Sequence, residues 1–119
     1  MIRPGGDNRT KQARRVLHQI LEEAAGAGPD AIELEYRDEG LEVTFMFGRT
    51  GVGNMLVCRK LESEVIKVII QQSHLQRSSC GSMGVTLLGE PYTIIVEEYE
   101  SFGESAFRLR LQKSSEKQT

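Results

Sequence analysis

The stretch AIELEYRDEGLEVTFMF, residues 31–47, decides the fold of this chain. Ile32, Leu34 and Tyr36 alternate with Glu33, Glu35 and Arg37; after Asp38-Glu39-Gly40, Leu41, Val43, Phe45 and Phe47 alternate with Glu42, Thr44 and Met46. Successive side chains of a strand point to opposite faces. A period of two with one apolar row therefore predicts two strands of a half-buried antiparallel sheet, joined by a charged turn. The same alternation puts Glu33, Glu35 and Glu42 together on the solvated face.

Upstream, Ala13, Val16, Leu17, Ile20, Leu21 and Ala24 form one stripe at helical spacing, with Asn8 or Thr10 as its cap and Gly26, Gly28 and Pro29 as its stop. Downstream, GRTGVGN (48–54) predicts a glycine-rich turn into a third strand over 55–58, with Cys58 in the core. A second helix follows over about 61–73. Leu61, Val65, Val68, Ile69 and Gln72 lie on one line, widened by Ile66 and Ile70. Residues 75–84, LQRSSCGSMG, read as a polar loop. Strands over 85–88 and 92–98 meet at Gly89-Glu90-Pro91. A turn at 101–104 leads to a last strand over 106–112, where Phe107, Leu109 and Leu111 alternate with Arg108, Arg110 and Gln112. The order α-β-β-β-α-β-β-β, with no sign of a right-handed parallel crossover, predicts an α+β two-layer sandwich: a largely antiparallel sheet with two helices packed on one face. The expected organisation is a flexible lead-in (1–9), one domain (10–112) and a disordered polar tail (113–119).

At 119 residues, 39% hydrophobic and 27% charged, the chain has the size and composition of one soluble domain that needs no metal or disulfide staple. A net charge of −2, without basic residues interleaved with aromatics, gives no pull toward nucleic acid. No apolar run approaches the ~20 residues of a spanning helix, and the first residues lack a signal-peptide core, so the expectation is a cytoplasmic protein without direct membrane insertion. Cys58 and Cys80 do not make a disulfide framework. Charge is unevenly distributed. Residues 1–15 carry Arg3, Arg9, Lys11, Arg14 and Arg15 against Asp7, a balance of +4, whereas residues 22–42 hold eight acids against Arg37.

The motifs that invite a catalytic reading each lack a necessary part. Gly48–Gly53 (GRTGVG) lacks the Gly-Lys-Ser/Thr ending of a phosphate loop and leads into a strand instead of a helix. His18 and His74 have no second ligand at metal spacing. Cys80, beside Ser78 and Ser79, has no neighbouring base in sequence. The row of glutamates fits a solvated sheet face, with Arg108 and Arg110 placed to pair with it across the strands. The expectation is a protein that is not an enzyme, with no cofactor and no metal.

Four segments, taken in order, resemble the small domain that precedes the motor domain in type II secretion and type IV pilus assembly ATPases. They are ILEEAAGAGPD (20–30), AIELEYRDEGLEVTFMFG (31–48), SEVIKVIIQ (63–71) and YESFGESAFRLRL (99–111). The family's Asp-Ile-His-Ile-Glu-Pro strand corresponds to residues 31–36, with Ala31, Glu33 and Tyr36 in place of its aspartate, histidine and proline. Its Gly-Glu ending with a following arginine corresponds to Gly103, Glu104 and an arginine after them. Its Gln-Asp-Gly-Arg loop corresponds to Ser79-Cys80-Gly81-Ser82, with Arg77 displaced by several positions. Family members reach the motor-bound nucleotide with arginines of this region, which Ser82 cannot do, and the motor's Gly-Lys-Ser/Thr loop is absent from the sequence. The resemblance implies a non-catalytic protein-interaction domain whose partner is another protein, a motor ATPase or a secretion or pilus component. Its candidate interaction residues are Arg77, Glu104, Arg108 and Arg110. The alternative is an unrelated α+β domain, either a small-ligand sensor or an accessory subunit.

Overall fold

A computed structural model describes residues 4–38, 40–56, 59–75 and 79–114. Its elements are α1 (Pro4–Ala27), β1 (Ala31–Tyr36), β2 (Leu41–Phe47), β3 (Thr50–Leu56), α2 (Arg59–Ser73), β4 (Cys80–Leu87), β5 (Glu90–Ser101) and β6 (Glu104–Lys113). The six strands form one antiparallel sheet in the order β3-β2-β1-β6-β5-β4. Each half is a meander, and the halves join where β1 pairs with β6.

Register aligns the apolar rows. Ile32 stands opposite Phe45 on one side and Leu109 on the other, and Leu34 opposite Val43 and Phe107. The row continues through Val96, Ile94 and Met83. Both helices lie over this face and pack on each other, with Leu17, Leu21, Val65 and Ile69 completing one core. The α+β sandwich expected from the alternation is the observed fold.

Several boundaries move, each for a local reason. α1 begins at Pro4, upstream of the expected caps at Asn8 or Thr10. Proline in a first turn gives up only an N–H that has no acceptor within the helix. The helix ends as expected: Gly28 takes φ +76° and its N–H donates to the Ala24 carbonyl at 2.8 Å. β3 spans Thr50–Leu56 instead of 55–58, because Gly48 and Arg49 alone make the turn. Gly48, at φ +64°, occupies the first of two loop positions, where a type II′ turn needs glycine. Gly51 is glycine for a different reason: a Cβ there would stand 2.9 Å from Thr44 Cγ2 of the neighbouring strand. Cys58, expected in the core, lies outside the described residues.

The expected polar loop over 75–84 is half strand. Cys80 opens β4 opposite Glu97, and Gly81 marks a point where the end of α2 presses on the sheet, since a Cβ there would overlap the Ser73 carbonyl oxygen. On α2 the exposed Gln72 leaves the expected stripe, and Ser73 is buried instead, its Oγ donating to the Ile69 carbonyl at 2.6 Å. His74 closes α2 at φ +61°, a conformation in which histidine is enriched. β6 takes in Lys113 from the expected tail, and Ser114 meets Thr93 through their hydroxyls at 3.1 Å.

Candidate functional site

The sheet face turned away from the helices carries a lattice of charges. Arg108, in register with Glu33 on β1 and Glu97 on β5, reaches both, at 3.2 Å and 3.6 Å. Arg110 pairs with Glu97 at 3.0 Å. Glu35 and Glu42 stand directly opposite each other, a repulsive pair that Arg37 bridges at 2.8 Å to each. Tyr99 and Ser101 donate to Glu35 at 3.4 Å and 3.2 Å, and the Arg108 guanidinium lies 4.7 Å from the centre of the Tyr99 ring. Burial, and then the charges of Glu33 and Glu35, raise the Tyr99 pKa above its ordinary value. Every acid of this lattice that was open to a catalytic reading is taken up by a cation or a hydroxyl. Among the described residues no group of three or more His, Cys, Asp and Glu side chains could hold a metal ion.

The lattice ends at the β5–β6 hairpin, where the chemistry changes. Phe102 and Gly103 are its two loop residues, at φ +52° and +82°, the double positive pair of a type I′ turn. Asparagine, aspartate or glycine ordinarily fills the first of these positions, and a phenylalanine there is strained. Its ring is 95% exposed. Beside it is a cleft of about 340 Å³ lined by Glu35, Tyr36, Arg37, Asp38 and Glu104, three acids to one cation. Tyr36 has its pKa raised by burial first and then by the charge of Glu62. Glu62 is only 7% exposed, and its Oε2 has no hydrogen-bond partner among the described residues.

A second feature lies on the helix side. α1 leans toward the β4 edge, where His18 Nε2 lies 3.0 Å from the Thr86 carbonyl and the Leu88 N–H donates to Glu22 at 3.3 Å. The opposite edge is left open. Between α1 and the β2–β3 hairpin runs a groove of about 770 Å³, floored by Val16, Ile20, Val43, Phe45 and Val52. Val52 is 57% exposed and Phe47, on the same row, 38%.

The candidate residues read from the sequence fall in different places. Arg108 and Arg110 are committed to the lattice of the open face, Glu104 stands exposed beside Phe102 at the hairpin tip, and Arg77 lies outside the described residues. The lattice therefore holds the two arginines in the sheet, and Glu104 alone joins the hairpin cleft. Sequence reasoning passed over Phe102, and the signal was its place: an aromatic immediately before glycine in a two-residue turn. It also passed over Val52, which was hidden among glycines. The chain matches no protein-family model, and no curated protein is significantly similar to it.

Proposed function

We propose that this chain is a non-catalytic protein-interaction domain of the kind that precedes the motor in secretion and pilus assembly ATPases. It acts in the cytoplasm on a motor ATPase or another component of a type II secretion or type IV pilus system. The observation that carries an interaction role is Phe102. A bulky ring held 95% exposed in a left-handed turn costs stability and contributes nothing to the core. Such rings are typical anchors of binding surfaces, because they fill a partner's pocket and lose little side-chain entropy. The acids beside it, Asp38 and Glu104, call for a partner socket that is apolar at its centre and basic at its rim. The secretion and pilus assignment rests on the resemblance in the four segments.

The test is affinity capture from the source cells with the wild-type chain and with Phe102→Ser and Glu104→Arg. The expected result is a motor ATPase or pilus component captured by wild type and lost with both variants. Capture of no such component, or capture that both variants retain, overturns the proposal. A small-ligand sensor is the second reading, and the observation that favours it is the apolar groove beside α1. Mass spectrometry of the purified protein finding a stoichiometric apolar metabolite would establish it.

A further inference from the structure

The charge on α1 is segregated along its length. Arg9, Lys11, Arg14 and Arg15 are exposed on its first half, Glu23 on its second, with Glu22 half-buried beside it. No acid lies within four positions of Arg14 or Arg15, and no cation lies within four positions of Glu23. Arg14, Arg15 and Glu23 therefore lack the i,i+4 partner of opposite charge that normally balances a helix surface. Among the described residues, Arg15 and Glu23 take part in none of the ion pairs. Arg15, Gln19 and Glu23 follow one another at intervals of four, so they form a single stripe with Gln19 at its midpoint. This stripe borders the groove: Gln19 and Glu23 line it, with Val16 and Ile20 below them.

We propose that the occupant of this groove is a second copy of the chain, docked with its α1 antiparallel to the first about a two-fold axis passing Gln19. A basic half followed by an acidic half is self-complementary when two such helices run in opposite directions. Arg15 of each copy then faces Glu23 of the other, and the contact repeats itself by symmetry. The two ion pairs fix direction and register, and closure of the groove over Val16, Ile20, Phe45 and Val52 supplies the apolar burial. Charge argues against a head-to-tail alternative in which Phe102 of one copy enters the groove of another. Glu104 and Asp38 at the hairpin would meet Glu22 and Glu23 at the groove rim. The inference goes beyond the partner contact at the hairpin and uses none of its residues.

Sedimentation equilibrium over a concentration series, at low and high salt, tests it. The wild type is expected to dimerise, with the dissociation constant raised about tenfold or more by Arg15→Glu or by Glu23→Arg, since each replaces two attractions by two repulsions. The double variant Arg15→Glu/Glu23→Arg recovers the dimer, and so does an equimolar mixture of the two single variants. Val52→Asp, exposed and outside the core, abolishes it. Thermal unfolding followed by circular dichroism shows that each variant is folded. A wild type that stays monomeric throughout overturns the proposal. So does a dimer that the single reversals leave intact, or one that the compensating pair fails to restore. Wild-type monomer that binds an apolar fluorescent dye in the groove would assign the groove to a ligand instead.

Discussion

The two wings of the sheet follow the same alternating pattern and are covered differently. On the β4–β5 wing, Leu87 and Ile94 are fully buried under both helices. On the β3–β2 wing, Val52 and Phe47 stay open beside the groove. The difference comes from how the helices are attached. α2 leaves one edge of the sheet after β3 and must cross to the other to start β4. α1 is held toward that far edge by His18 and Glu22, which engage the backbone at Thr86 and Leu88. One wing is thereby closed over, while the other keeps Leu41 and Val43 in the core and is open at Phe47 and Val52. The unsealed wing and the hairpin tips are the places where large apolar side chains stand open among the described residues.

The contact between α2 and β4 is the most sensitive point of the covered wing. Gly81→Ala forces a methyl group into the Ser73 carbonyl, which is backbone and cannot step aside. A loss of about 3 kcal/mol is expected in urea unfolding. Gly53→Ala, its counterpart on the open wing, meets the flexible Glu42 carboxylate at 3.2 Å and is expected to cost less than about 1 kcal/mol. Equal costs would mean that α2 does not close on β4 in the way described. Side-chain truncation probes the same contrast. Ile94→Ala, fully buried, is expected to cost about 2–5 kcal/mol, whereas Val52→Ala, largely exposed already, stays within about 0.5 kcal/mol. A large effect at Val52 in dilute protein would show that the β3 wing has its own intramolecular cover.

The alternation in residues 31–47 was sufficient for the sheet because register in a one-sided sheet is dictated by which row is apolar. The glycines were where the reading slipped. Gly48 and Gly51 look alike in sequence, yet one sets a turn and the other yields space to Thr44 from the next strand. Gly81 likewise read as loop, because the carbonyl it accommodates belongs to α2, far off in the chain. Local pattern cannot register a close approach made by a distant segment. The site was less legible still. Arg108 meets Glu33 of the expected row, but Arg110 pairs with Glu97 instead, because strand order brings β5 next to β6. Phe102 matters only because the turn exposes it, a property of the hairpin's length and not of the residue.

The two hairpin tips offer a smaller contrast. Leu88, on the covered wing, repeats the geometry of Phe102, with φ +51° and 59% exposure. Leu88→Asn and Phe102→Asn both place a residue that tolerates this conformation, and each is expected to stabilise the fold by about 1 kcal/mol. Only Phe102→Asn should also lose partner capture. Loss from both would broaden the binding surface to the far end of β5.

The smallest effect is one of pH and compares the two faces of the sheet at the hairpin end. Tyr36 sits on the helix face and Tyr99 on the open face, and burial raises the pKa of both. The carboxylates that reinforce the shift differ: Glu62 for Tyr36, and Glu33 and Glu35 for Tyr99. In each case folding favours the protonated phenol. The associated stability is fully present below the ordinary value of 10.0 and is lost as pH rises through the higher folded-state pKa. Alkaline titration followed by tyrosinate absorbance is expected to show late-ionising phenols, one removed by Tyr36→Phe and another by Tyr99→Phe. Glu33→Gln should advance only the Tyr99 component, because it removes a repelling charge on that face alone. If that substitution left Tyr99 in place, or moved Tyr36 equally, the charge lattice would not be confined to the open face. The separation between a sealed and an exposed side of this end of the sheet would then fail.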